Sequence, residues 1–417
     1  MNRHILAATA AFAVSMVSAR ANAQTIAITG GTVYPVSGPR IEHGTVIIQN
    51  GRITAVGRDV GIPAGATRID ATGRWVTPGF IHASTTLGLS EVGSIDGTNE
   101  SSREGVINPS FNVADGINPA VVNIAVARME GVTSTIARPG GGLIAGQAIF
   151  IDLAGDQARD MIVKSPVAMV IDLSENSKSA GGGSRAGVIQ RLRTLFRDAL
   201  EYERRKAEYQ KREVQDLAAP AAELEALLPV LHGVVPVYAI ANRKSDIENA
   251  LSLMTEFTLK LVILGGTEAW KAAPALAQAK VSVAVFPLTN IPTFDGTGAR
   301  SDNATILSDA GVNVIVVEGE SGGPRNLRFA AGHSVRNGMK WDSALRAITL
   351  APASAFGMSD RYGSLEPGKV ANVVIWTGDP FEYSSKAEHV FIEGRDIPLT
   401  SRMTELFNRY RTLPPSY

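Results

Sequence analysis

The stretch VPVYAIANRKSDIENALSLMTEFTLKLVILGG, residues 235–266, sets the reading of the fold. VPVYAIAN (235–242) and LKLVILGG (259–266) are apolar, β-branched runs without polar alternation, as expected of parallel strands covered on both faces. Between them, SDIENALSLMTEF (245–257) has helical character. The same kind of run recurs at VTSTIARP (132–139), VAMVIDL (167–173), VSVAVFPL (281–288) and VNVIVVEG (312–319), with EAWKAAPALAQAK (268–280) as a second helical spacer. Repeated βα units predict a parallel sheet, either closed as a barrel or open and doubly wound.

Both ends of the chain read differently. TIAITGGTVYPV (25–36), GTVIIQNGRITAVG (44–57) and TRIDATGRWVTPGF (67–80) are short β-rich segments broken by Gly, Asn-Gly and Pro. Asn50-Gly51 between two β-branched runs predicts a type I′ hairpin. GSLEPGKVANVVIWTGDP (363–380) and AEHVFIEGRDI (387–397) repeat this punctuation near the other end. One composite β-sandwich from residues 24–76 and 362–400 is therefore expected around an α/β body at 77–361, with a tail at 401–417. Within the body, Ala186 to Leu228 is rich in Arg, Glu, Lys and Ala and predicts a charged outer helix or helix pair.

The first residues, MNRHILAATAAFAVSMVSARANAQ, combine a basic start, an apolar run from Ile5 to Val17 and the small-residue site Ala21-Asn22-Ala23. This pattern predicts a signal peptide at 1–23, cleaved near Ala23, and export to the periplasm. The run is short of the roughly 20 apolar residues that span a bilayer, so no stable membrane anchor is expected. Lys and Arg total 40 against 40 Asp and Glu, a balance that gives no basic surface for nucleic acid. Cysteine is absent, which excludes disulfides, thiolate catalysis and cysteine metal sites.

Taken with PGFIHASTTLGL (78–89), EGVTSTIARPGGGLIAGQ (130–147) and SGGPRNLRFAAGHSVRNGMKWDSALRAITLAPA (321–353), these segments resemble the amidohydrolase superfamily, in particular its imidazolonepropionase-like branch. The resemblance extends over nearly the whole mature chain. It implies a distorted (β/α)8 TIM barrel beside a small β-sandwich, with the active site at the C-terminal ends of the barrel strands. It also implies one or two divalent metals held by strand-end histidines and carboxylates, which activate water for hydrolysis.

Carried over position by position, that ligand set is missing. Where such enzymes read PGFIDAHTHLGL, this chain places Ser84 and Thr86 at the two histidines and His82 at the aspartate. The fifth-strand histidine falls on Ile240 or Asn242, the sixth on Gly265, and the last-strand aspartate on Glu320. The chain's histidines, His4, His43, His82, His232, His333 and His389, show no H-x-H or H-x-x-x-H spacing. Hydroxyls are poor zinc ligands beside imidazole or carboxylate, so no metal is expected unless zinc occupies a rearranged site.

Several groups at the mouth admit two readings. His82, Ser84 and Glu320 contain the ingredients of a hydroxyl nucleophile, base and carboxylate, yet no G-x-S-x-G elbow surrounds Ser84; alternatively His82 only fills the aspartate's space. Glu318 and Glu320 are either a coupled carboxylate pair or a solvated one. Arg325 and Arg328 either bind a ligand carboxylate or cap backbone carbonyls. RPGGGLIAGQ (138–147) has no G-K-[ST] and is read as pocket wall. Thr86, Asn242, Gly265 and Arg325 are the expected pocket positions. The function expected is a non-catalytic subunit that binds a small molecule or pairs with a metal-containing homologous subunit. The alternative is a hydrolase of amide or cyclic-amide C–N bonds with a rearranged or absent metal site.

Overall fold

The computed structural model describes residues 25–102, 104–211, 217–319 and 323–412. The expected signal peptide and Glu320 lie outside the described residues. Among the described residues no helix is long and apolar enough to cross a membrane.

Five strands open the chain: β1 (Thr25–Val33), β2 (Ile41–Gln49), β3 (Arg52–Gly57), β4 (Thr67–Asp70) and β5 (Trp75–Pro78). Asn50 and Gly51 join β2 to β3 with φ of 52° and 75°, the paired positive φ that a type I′ turn requires. The central body contributes β6 (Phe80–Thr85), β7 (Val132–Ala137), β8 (Ile144–Asp152), β9 (Ile162–Asp172), β10 (Val237–Ala241), β11 (Leu261–Gly265), β12 (Ser282–Val285) and β13 (Val314–Val316). The C-terminal strands are β14 (Val373–Trp376), β15 (Ala387–Ile392) and β16 (Arg395–Asp396).

The two ends of the chain do build one sheet. Its order is β16-β15-β14-β5-β1-β2-β3, with β4 added in parallel to β1. Ile26, Ile28, Val46, Ile48, Ile53, Val373 and Phe391 form its own apolar core. The tail at 401–417 is helical over Arg402–Tyr410, begun by a Ser401–Thr404 capping box.

The central sheet runs β13-β12-β11-β10-β9-β8-β7-β6 and is nearly closed, which settles the choice between barrel and open sheet. Ile81, Ala83, Phe150, Val170, Tyr238, Leu264 and Ile315 fill its interior. One strand departs from a repeating βα pattern: β8 lies antiparallel to both β7 and β9. Residues 138–143 are too few for the crossover of a dozen or more residues that a parallel neighbour needs, so the chain turns straight back. Ile144–Gln147 of the glycine-rich stretch consequently belong to this strand rather than to a loop.

The charged segment is a set of helices at Arg185–Arg204, Lys206–Gln210 and Ala221–Leu231. Val188, Leu192, Leu195, Phe196 and Ala199 bury one face of the first, while Arg193 and Arg197 meet Glu256 on the other. EAWKAAPALAQAK divides into a 3-10 turn, Ala269–Ala272, and a helix, Ala273–Gln278. Pro274 lies in the first turn of that helix, where its missing N–H costs nothing.

Candidate barrel-mouth site

The C-termini of the parallel strands converge at one end of the barrel, and the seam between β6 and β13 opens into a cavity of about 90 Å³ there. His82, Ser84, Thr86, Glu318 and Gly319 line it together with Asn123. His82, Ser84 and Thr86 therefore share one space.

His82 is buried, with 1% of its surface exposed. Burial, and then the Arg138 guanidinium, push its imidazole down to about 3, so the ring is neutral at ordinary pH. Its Nδ1 faces the Ser84 backbone N–H at 3.2 Å and its Nε2 faces the Glu318 N–H at 3.3 Å across the seam. A neutral imidazole has one accepting nitrogen, so it can accept from only one of these donors at a time. The β6–β7 register slips between His82 and Thr85, bringing the Ser84 N–H under the ring of its own strand.

The Ser84 hydroxyl is turned to Arg138 and accepts from Nε at 2.6 Å. The side-chain hydrogen bond of a serine–histidine pair is not formed. Arg138 directly follows β7 and also donates from Nη1 to the Pro139 carbonyl at 3.2 Å. Its charge acts on His82, on Asp172 at the end of β9 and on Tyr238 of β10. A guanidinium thus stands at the end of β7 against Ser84 of β6, within electrostatic reach of Asp172 at the end of β9.

Glu318 supplies the carboxylate. It is 6% exposed, and burial raises its pKa against the opposing effects of the Gly319 N–H and Arg325. Its Oε2 has no hydrogen-bond partner among the described residues. Arg325 is exposed and reaches this site through its charge on Glu318. Arg328 turns inward instead: Nε meets Glu130 at 2.6 Å and Nη1 donates to the carbonyls of Pro380 and Glu382, each at 2.9 Å. Of its two readings, carbonyl capping is the one realised.

Asn242 and Gly265 are brought together, but in a second cluster that does not line the seam cavity. Asn242 donates from Nδ2 to Asp295 at 2.8 Å and accepts from Thr267 Oγ1 at 3.2 Å. Asp295 also accepts from Arg185 at 2.6 Å, and Arg185 reaches Glu175 at 2.9 Å and Asp246 at 3.0 Å. Gly265 has φ of 97°, and a Cβ there would stand 2.3 Å from Asn242 Oδ1. No histidine fits at that position without moving the backbone and Asn242.

These donors do not fit the divalent metal that the resemblance implies. The one imidazole faces two backbone N–H groups, the Ser84 oxygen already accepts from a cation, and Gly265 offers nothing. A dication would also lie beside the Arg138 guanidinium and be repelled by it. Among the described residues, no three His, Asp or Glu side chains gather as a metal site requires.

Sequence reading missed Arg138, Arg185 and Asp295. Arg138 carries a usable signal, since a charged residue directly follows a buried strand that has no charge of its own. Asp295 lies in an irregular loop with no motif, and only the fold brings it to Asn242.

Comparison with known proteins agrees with this architecture. Residues 289–398 match the Amidohydrolase family model. The chain is 25% identical over 391 residues to amidohydrolase tasK of Hapsidospora irregularis, covering 84% of this chain and 39% of that protein. It thus spans well under half the length of that relative. Over 70 residues it is 46% identical to a 5-methylthioadenosine/S-adenosylhomocysteine deaminase of Symbiobacterium thermophilum, covering 15% of this chain and 16% of that one. Among solved structures, an amidohydrolase from Thermotoga maritima superposes with a TM-score of 0.83 at 29% identity, over 90% of this chain and 100% of the other. Molinate hydrolase, at a TM-score of 0.56 and 20% identity over 90% and 95% of the two chains, shares the fold.

Proposed function

Starting from an amidohydrolase family domain at residues 289–398 and an amidohydrolase-like barrel, we propose that this chain binds a small polar molecule at the barrel mouth without a family-type metal. In this reading it is a relative, within the imidazolonepropionase-like branch, whose metal-ligand histidines have been replaced. The observation that carries the proposal is the Arg138 guanidinium, held 2.6 Å from Ser84 Oγ beside neutral His82. A fixed organic cation stands near the first-strand positions where relatives of this type need metal ligands. It can attract a polar or anionic group but cannot activate a water as a metal does.

Metal analysis tests this. Purified protein should hold metal far below one per chain after dialysis, and again after zinc or manganese loading and a second dialysis. Near-stoichiometric metal that survives dialysis overturns the proposal. Replacing Ser84 and Thr86 by histidine should still give no submicromolar zinc site, because Gly265 cannot supply a ligand.

One observation favours a second reading, hydrolysis of an amide or cyclic-amide C–N bond. Glu318 lines the cavity and is a buried carboxyl with a raised pKa, and its Oε2 has no partner among the described residues, which suits a proton carrier. Turnover in an amide screen that Glu318→Gln abolishes would establish it. Export with cleavage near Ala23 belongs to the same proposal, and the N-terminal sequence of protein from the periplasmic fraction tests it.

A further inference from the structure

A second cavity lies away from the mouth. It has a volume of about 530 Å³ and sits between the terminal sheet and the helix Trp341–Ala347. It shares no lining residue with the seam cavity. Its size falls within the ordinary range of small-molecule sites.

Three aromatic rings form its corner. Tyr34 stands 4.8 Å from Trp75 and 4.8 Å from Trp341, and the two indoles are 5.5 Å apart. The indoles meet at 79° and form the two walls, while Tyr34, 5% exposed, packs against both at 35° and 47°. Trp341 is fixed from behind, its Nε1 donating to both Asp379 oxygens at 3.1 and 3.0 Å, with Phe381 5.1 Å away. Val36 on the rim has φ of 71°, a conformation that a β-branched residue keeps only where its surroundings enforce it. The corner is rigidly built.

Charge decides what it would accept. Arg40 lines the cavity but is already engaged, ion-paired with Glu42 at 3.1 Å and hydrogen-bonded to Tyr34. Asp342 also lines it, and its carboxylate has no hydrogen-bond or ion-pair partner among the described residues. The uncompensated charge at the cavity is therefore negative. We propose that this corner is a second binding site for a compact quaternary ammonium group, held between the half-buried indoles of Trp75 and Trp341, which Tyr34 backs, and balanced by Asp342. A trialkylated cation suits it better than a primary ammonium, because the walls offer π faces and only one free acceptor carboxylate.

Choline chloride and its neutral carbon isostere, 3,3-dimethylbutan-1-ol, test this on the full mature chain by tryptophan fluorescence and calorimetry. Choline should bind saturably with a Kd on the order of 1 mM, and the alcohol at least about tenfold more weakly. Asp342→Asn, an exposed change, should weaken choline about fivefold and leave the alcohol unchanged. Trp341→Ala should abolish binding of both. Equal binding of the two probes overturns the proposal, as does absence of saturation at 100-fold the expected Kd, about 100 mM. Choline binding unaffected by both variants also overturns it, since the site would lie elsewhere.

Discussion

The two ends of the barrel contain similar polar groups in opposite conditions. At the floor, Asp152 accepts from Ser134 Oγ at 2.6 Å, Tyr362 OH at 2.8 Å and Asn372 Nδ2 at 3.0 Å. Asn372 in turn accepts from the Glu393 N–H at 2.8 Å, tying the barrel to the terminal sheet. At the mouth, Glu318 Oε2 lacks a partner among the described residues, and His82 cannot accept from both of its neighbours. Buried polar groups are normally satisfied, so a complete network reads as cement and an incomplete one as a place left for another molecule. The floor is a closed network, and the mouth, among the described residues, is an open one.

The largest test of this contrast is Asp152→Ala. It strands three buried donors and leaves a void, and should cost about 3 kcal/mol or more in urea unfolding. A loss below about 1 kcal/mol would dissolve the distinction between the two ends.

Acid titration sharpens it. Burial raises Asp152 to about 6 despite its three donors, so its contribution to stability is full below the unfolded carboxylate value and is lost as pH rises through 6. His82 is lowered to about 3, so its contribution is present above the ordinary imidazole value and is lost as pH falls toward 3. Between pH 4 and 6 the two oppose each other and partly cancel. Asp152→Asn should unmask the His82 slope, about 1.4 kcal/mol lost per pH unit of acidification, measurable by urea unfolding across that window. An unchanged slope would mean that one of these groups is solvated.

Gly265→Ala comes next, at about 1–3 kcal/mol, from a positive φ and the contact with Asn242. The companion readout is loss of the Asn242–Asp295 hydrogen bond in a crystal structure. The smallest effect is expected for Arg138→Ala, within about 1 kcal/mol of the parent in stability. There the His82 imidazole should titrate higher by NMR but stay below 6.5, since burial remains the larger cause. A His82 titration that does not move would remove Arg138 from the mouth's electrostatics.

How much of this was legible depends on how far apart the partners lie. The Asn50-Gly51 hairpin and the buried parallel strands are local patterns, and the structure contains both. Nothing in the residues of the reversed strand β8 marks its direction; only the brevity of residues 138–143 betrays it. Arg328 resembled a ligand-binding arginine because Glu130 and the Pro380 carbonyl are far away in sequence. The lack of any H-x-H spacing is plain in the sequence, and so is a charge just after β7, but the meeting of Arg138 with Ser84 beside His82 is not. Strand-end side chains reach one another through barrel curvature, which residue order does not encode.

That reversed strand also bears on how the chain assembles. β7, β8 and β9 are linked through residues 138–143 and 153–161, so their pairing closes only small loops. The terminal sheet must instead wait until Val373–Trp376 can find Trp75–Pro78. The meander has low contact order and the sheet has high contact order, so pulsed hydrogen exchange should find β8 protected first and β14 last.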